Sequence, residues 1–340
     1  MVPLTPKMLA QYLREQIPNL DPIMIEGPPG CGKTSIVRQV AAELGYDCPY
    51  FPPAITLDPV DLRGVPHVEQ NGHGKITNWA VPAFLHFDPD WKGIMFIDEA
   101  PQGTTAIQAS FGQMLYGGRL GDWVKPKKSM FILAGNRQAD RAGAHRMISL
   151  LEGRLKWVEL VNSNEDWQEW ARAFGICSEI RTYLNSVGGK HLNTFDPKSA
   201  DHTCATQRTW ELADRAFKAA SESMKHPAMA SAVGGAVATA FMEYWQLYAH
   251  MPDLDAIIRN PDKVDVPSRH DVLWATCGSL AERLANYKAA TAEAILVFAE
   301  RLPREFNVFL VRDAMAVSGR KMASCKGMQA WISKNADVLL

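Results

Sequence analysis

Apolar positions along the chain fall into two textures. In the first, short unbroken runs end abruptly at glycine or polar residues: Ile23-Met24-Ile25 within 22–26, Ile94-Met95-Phe96-Ile97 within 93–97, and Met130-Phe131-Ile132-Leu133-Ala134 within 129–134. Runs of this length bounded by turn residues predict strands buried on both faces, as in a parallel sheet between helical layers. A glycine-rich stretch follows the first run, and residues 35–44 then take helical spacing. Beyond Val161 glycine thins out and the second texture begins. Residues 165–174 and 178–186 read as amphipathic helices, 188–205 as a polar link, and Thr206 or Thr209 as the cap of a long helix with Arg208 in its first turn. Residues 228–242, rich in Ala, Gly, Ser and Thr, predict a buried helix, being shorter than the roughly 20 apolar residues of a membrane span. From Met251 onward, proline-marked breaks at 252–267 and at Pro303 separate further helices, with Trp274 and Trp331 expected in the core.

Composition narrows the class. A length of 340 residues suits two packed domains, or one α/β core with a substantial appendage. Apolar residues at 47% and charged residues at 21% exclude disorder, collagen-like repeats and coiled coil. Thirty-six Lys and Arg against 37 Asp and Glu leave a net charge of −1, which removes the broad positive field of a nucleic-acid protein, although a local basic groove stays open. The six cysteines form no CxxC pair and predict reduced thiols in a cytoplasmic protein. Residues 1–11 lack the charged start and apolar run of a signal peptide, so none is expected. His191, His202, Cys204 and Asp196 share a loop but match no familiar zinc spacing, and His250 and His270 have no ligand spacing.

The candidate chemistry lies at the ends of the three apolar runs. The first enters Gly27, Pro28, Pro29, Gly30, Cys31, Gly32, Lys33 and Thr34, with Ser35 opening the helix. This is GxxxxGK[ST] between a strand and a helix, where glycines let backbone N–H groups wrap phosphates. Lys33 would neutralise the β- and γ-phosphates of ATP, the helix N-terminus adds its dipole, and the Thr34 hydroxyl would hold Mg²⁺. The plainer alternative is a glycine turn joining strand to helix. The second run ends in Asp98 and Glu99, expected to point to different sides of a strand end. There Asp98 can support Mg²⁺ while Glu99 polarises a water towards the γ-phosphate; standing alone, the same pattern would be a strand cap. The third run ends at Gly135-Asn136-Arg137. An amide at that sheet edge can orient the attacking water, where otherwise it would be an ordinary Gly-Asn turn.

With GPPGCGKT at 27–34, FIDEA at 96–100, LAGNR at 133–137, DRAGAHR at 140–146, LLEGRL at 150–155 and CATQRTW at 204–210, the chain resembles the AAA+ ATPases, and within them the MoxR family and its phage and bacterial relatives. The likeness runs from about Thr5 to Tyr248. It implies that Lys33 and Thr34 are the Walker A pair, Asp98 and Glu99 the Walker B pair, and Asn136 sensor 1. It places Arg154 at the arginine finger and Arg208 at sensor 2. Guanidinium groups suit a γ-phosphate transition state because they engage its oxygens in a bidentate way. Arg141 and Arg146 lie in the same stretch and rival Arg154 for the finger role.

The resemblance further implies that 58–66 leads into a hairpin at 67–82 facing the central opening of a ring, and that 117–125 forms a hairpin before sensor 1. His73, Lys75 and Trp79 could contact a substrate there, or belong to an ordinary surface hairpin. The expected architecture is an αβα P-loop core with a parallel sheet over 1–160, a helical lid over 161–250 and a helical extension over 251–340. The expected function is Mg²⁺-dependent ATP hydrolysis by a homo-oligomeric ring, a hexamer. That ring would remodel or activate a protein client, with a von Willebrand A-like protein as the partner the family suggests, and with no membrane and no nucleic acid. Two alternatives remain: a nucleic-acid motor or loader, favoured only by clusters such as Lys125-Pro126-Lys127-Lys128, and a nucleotide-locked structural assembly.

Overall fold

The computed structural model describes all residues except 73, 141–146, 247–250, 320 and 336–340. Arg141, Arg146, His73 and His250 lie outside the described residues, as does most of the stretch DRAGAHR. The chain divides into two compact units, Met1–Ser163 with Phe195–Ala200, and Asn164–Thr194 with Asp201–Leu340.

In the first unit the strands are β1 (Val2–Leu4), β2 (Ile23–Glu26), β3 (Val65–Asn71), β4 (Gly74–Ala80), β5 (Lys92–Ile97), β6 (Arg119–Leu120), β7 (Trp123–Val124), β8 (Lys128–Gly135) and β9 (Lys156–Leu160). Five of them form one parallel sheet in the order β1-β9-β2-β8-β5. The three apolar runs are therefore adjacent, with β2 beside β8 and β8 beside β5. Their side chains alternate between two cores, as the two-residue period of a strand requires. Met24, Met95, Ile97, Phe131 and Leu133 enter one apolar cluster, whereas Ile23, Ile25, Ile94, Phe96, Met130 and Ile132 enter the other. Burial on both faces explains why the runs carry no polar alternation.

Both expected hairpins are present. β3 and β4 pair antiparallel from Val65 with Ala80 to Asn71 with Gly74, and β6 pairs with β7. Gly64 closes the base of the larger one in a left-handed conformation, φ 87°, and a Cβ there would lie 1.9 Å from the Ala80 carbonyl oxygen. Trp79 is half-buried, with its ring beneath the Arg63 guanidinium at 5.3 Å and its backbone N–H donating to Asp122. Lys75 is exposed.

The second unit is helical. Asn164–Phe174 and Ser178–Ser186 form where the amphipathic pattern places them. Thr206 caps Gln207–Ala219: its hydroxyl accepts from Thr209 N–H, and the Thr209 hydroxyl accepts from Thr206 N–H. The stretch 228–242, expected as one helix, is instead two, Lys225–Val233 and Gly235–Gln246. Gly234 breaks it at φ 88°, where a Cβ would sit 3.0 Å from the Thr203 carbonyl oxygen. Gly234-Gly235 was the readable signal, hidden by the hydropathy of its flanks. Trp331 is buried and donates through its indole N–H to Asn307, while Trp274 packs edge-on to Phe309. Helices on both sides of residue 251 share one interior: Gly278 of His270–Glu282 backs onto Thr182, and buried Arg181 pairs with fully buried Asp313 at 3.0 Å. No described helix is long and apolar enough to cross a membrane.

Candidate functional site

The site forms at the carboxyl ends of β2, β5 and β8, where a parallel sheet leaves its strand ends and following loops open to a ligand. Gly30 and Gly32 take positive φ values of 71° and 94° in the loop after β2. A Cβ at Gly32 would meet nothing within 4 Å, so backbone conformation rather than space demands glycine there. Gly32 is also the N-cap of the helix Lys33–Glu43 and has no side chain to cap it, which leaves first-turn N–H groups directed at an anion site. Cys31 is buried, and burial pushes its thiol up, so the thiol stays neutral beside the phosphate loop. Ser35 is exposed on the first turn.

Lys33 is buried, and its ammonium donates to the carbonyls of Gly27 at 2.9 Å and Pro28 at 3.0 Å and to Asn136 Oδ1 at 3.1 Å. The Thr34 hydroxyl donates to Asp98 Oδ2 at 2.9 Å. Lys33, Thr34, Asp98 and Asn136, spread over more than a hundred positions of sequence, thus meet through hydrogen bonds. Hydroxyl and carboxylate oxygens side by side suit a hard divalent cation, so Thr34 and Asp98 are the residues that would hold Mg²⁺.

Glu99 departs from the expected strand-end geometry. β5 stops at Ile97, and Glu99 adopts a left-handed conformation, φ 55° and ψ 31°, at the start of the short turn Ala100–Gln102. The two carboxylates are therefore set by a strained turn and not by strand alternation; a non-glycine residue there costs on the order of 1–2 kcal/mol. The Glu99 N–H donates to Asp98 Oδ1 at 2.9 Å and steadies the neighbouring carboxylate. Pro101 of this turn closes on β8, such that a Cβ at Gly135 would lie 2.3 Å from Pro101 Cδ. Gly135→Ala is expected to lower stability by about 1–3 kcal/mol through overpacking and to depress ATPase activity by moving Asn136. Urea melts alongside turnover assays check this, and unchanged values of both would refute the contact's importance.

A polar cluster next to the loop was not foreseen. The Arg137 guanidinium is held by Asp140 through two hydrogen bonds, at 2.9 and 3.1 Å, and by Glu159 of β9 at 3.1 Å. These carboxylates raise the Arg137 pKa further. Glu26, the last residue of β2, has its carboxyl pushed up first by burial and then by Glu159, with Arg137 partly offsetting both. A carboxyl that prefers its proton in the folded state contributes stability that is present in acid and lost as pH rises through its folded pKa. Glu26→Gln should therefore raise Tm near about pH 8, with the gain shrinking towards about pH 5; a pH-independent gain would contradict this origin.

The two candidate arginines have different surroundings. Arg154 is half-buried, and its guanidinium lies over the ring of Tyr116 at 4.0 Å. Arg208 is exposed in the first turn of Gln207–Ala219 and belongs to the second unit. Of the loop bearing His191, the ring accepts or donates a hydrogen bond at the Tyr183 hydroxyl, 2.5 Å away.

A parallel αβα sheet with a glycine loop, a paired acidic turn and a polar residue at the neighbouring strand end defines a P-loop nucleotide-binding core. Residues 23–155 match the family described as the ATPase family associated with various cellular activities (AAA). Among solved structures, the chain is similar to NtrX from Brucella abortus in complex with ADP, at 14% identity over 98% of this chain and 68% of that one, with a TM-score of 0.40. It is also similar to a RuvB variant from Thermotoga maritima, at 14% identity over 81% of this chain and 79% of that one, with a TM-score of 0.34. No curated protein matches the chain significantly.

Proposed function

We propose that the protein is a Mg²⁺-dependent AAA+ ATPase of the MoxR-like branch that works as a homo-oligomeric, hexameric ring and remodels or activates a protein client. The observation that carries the ATPase reading is the hydrogen-bonded meeting of Lys33 with Asn136 and of Thr34 with Asp98. The AAA domain match supports nucleotide binding and ATPase activity at the general level. When bound, Mg²⁺ supplies charge neutralisation at the phosphate oxygens.

In this reading the loop from Gly27 to Thr34 binds the phosphates through backbone N–H groups, and Lys33 turns its ammonium from loop carbonyls to the β- and γ-oxygens. Glu99 takes a proton from the attacking water, and Asn136 holds that water in line. Arg154 serves a neighbouring subunit's site, which makes hydrolysis depend on assembly, and Arg208 senses the γ-phosphate. The helical residues 161–250 act as the lid, and 251–340 as an extension that serves the client. The net charge of −1 favours a protein client over nucleic acid, and a von Willebrand A-like protein is the partner class the resemblance suggests.

The test is to purify the Glu99→Gln form from cells with ATP present and identify what is retained, alongside mass measurement by light scattering. A ring that holds a protein only with ATP supports the reading. A monomer in ATP, or salt-sensitive stimulation of turnover by DNA, overturns the ring or the protein client respectively.

A further inference from the structure

The helix Thr105–Gly117 begins just past the turn that carries Asp98 and Glu99, and one face of it meets the segment that carries Arg154. Three residues on that face are spaced by four. Gln108 is buried; its amide N donates to the Gly103 carbonyl at 3.0 Å, and its Oε1 accepts from Ile148 N–H at 2.9 Å. One turn on, Gly112 lies so near Leu150 that a Cβ would be 2.7 Å from Leu150 Cδ2. One turn further, Tyr116 is 76% exposed and lies beneath the Arg154 guanidinium. Residues at i, i+4 and i+8 share one stripe of a helix, so a single rigid element touches the acidic turn at one end and Arg154 at the other.

We infer that Tyr116 is a positioning residue for Arg154, holding its guanidinium ready for the phosphate of a neighbouring subunit, with the stripe Gln108, Gly112 and Tyr116 tying that pose to the turn bearing Glu99. The inference rests on the proposed role of Arg154 in trans. Its physical basis is how the contact uses the guanidinium. A guanidinium held over a ring by its charge uses no carboxylate partner in that contact, which keeps N–H donors of its fork for paired phosphate oxygens. A carboxylate partner would occupy that fork. Stacking also restricts a long side chain that would otherwise sample many rotamers, so less ordering remains to be done when the phosphate is engaged. A ring this exposed contributes little to the core, which points to a role beyond packing.

The test uses the full chain and measures kcat, KM for ATP, ADP affinity and Tm. Arg154→Ala should lower kcat by about 10³-fold or more, as removal of such an arginine does. Tyr116→Leu should lower kcat about two- to five-fold, the worth of an exposed cation–π pair, with KM, ADP affinity and Tm unchanged, and Tyr116→Phe should restore the rate because it keeps the ring face. Mixing adds a readout that a structural role would not move. Glu99→Gln subunits should revive Arg154→Ala subunits by lending them an arginine, Glu99→Gln with Tyr116→Leu should revive them less, and Glu99→Gln with Tyr116→Phe equally well. Should Arg154→Ala turn over normally, the role of Arg154 falls and this inference with it. If Arg154→Ala collapses while Tyr116→Leu matches the wild type, or if Leu and Phe lose activity equally, the inference alone is overturned.

Discussion

Replacing Glu99 with glutamine is expected to slow ATP hydrolysis by about 10²–10⁴-fold while ATP still binds, because the amide keeps the shape of the carboxylate but cannot accept a proton from water. The effect should fall on kcat, since the phosphate contacts proposed for Lys33 and the loop remain. Glutamine also tolerates the left-handed conformation no worse than glutamate, and the turn is held by backbone bonds, including Gln102 N–H to the Glu99 carbonyl at 2.9 Å. Fold and assembly should therefore survive. Single-turnover hydrolysis with saturating ATP measures the step directly. A rate within a few-fold of the wild type would remove Glu99 from the role of base and leave it as the cap of a turn.

The second large effect is at the phosphate loop. Lys33→Ala should weaken ATP and ADP binding by about 10- to 150-fold, corresponding to the roughly 1.5–3 kcal/mol of a hydrogen bond to a charged group. The loss should exceed this for ATP relative to ADP if the ammonium reaches the γ-oxygens. Lys33→Met, which keeps most of the buried stem, separates packing from charge: both variants should lose affinity alike. Titration with a fluorescent nucleotide reads the change, and nucleotide-dependent stabilisation of Tm should vanish in parallel. Retained affinity in either variant would show that the ammonium belongs to the loop and not to the ligand, since it already has the Gly27 and Pro28 carbonyls as partners.

The sequence made the central part of this site readable for a local reason. Glycines at 27, 30 and 32 followed by Lys33 and Thr34 specify a backbone shape within eight residues, and the three apolar runs announce strands buried on both faces. The carboxyl-end placement of Asp98 and Asn136 then follows from parallel topology. What stayed hidden depends on pairing across distance or on conformations with no compositional mark. The Arg137–Glu159 pair joins the loop after β8 to β9 over 22 positions, and nothing about Glu159 within an alternating strand separates it from a solvated edge. The left-handed Glu99 could not be foreseen, since glycine or asparagine is the usual marker. Gly234 carried a marker, but the apolar residues on both sides favoured an unbroken helix. Tyr116 and Arg154 meet only because a helix after β5 and a segment before β9 pack together, a contact that periodicity cannot supply.

The closure of Pro101 on Gly135 has a mechanical meaning. Between the turn that holds Glu99 and the strand end that holds Asn136 there is no room for even a methyl group, and one of the two contacting surfaces is a rigid ring. Close-packed surfaces of this kind transmit displacement without absorbing it. The carboxylate and the amide are thus two ends of one short lever: whatever tilts the strand end must carry the acidic turn with it, and through the helix Thr105–Gly117 the same tilt reaches Arg154. In the proposed ring, such a lever would pass the state of one site to the next by geometry alone.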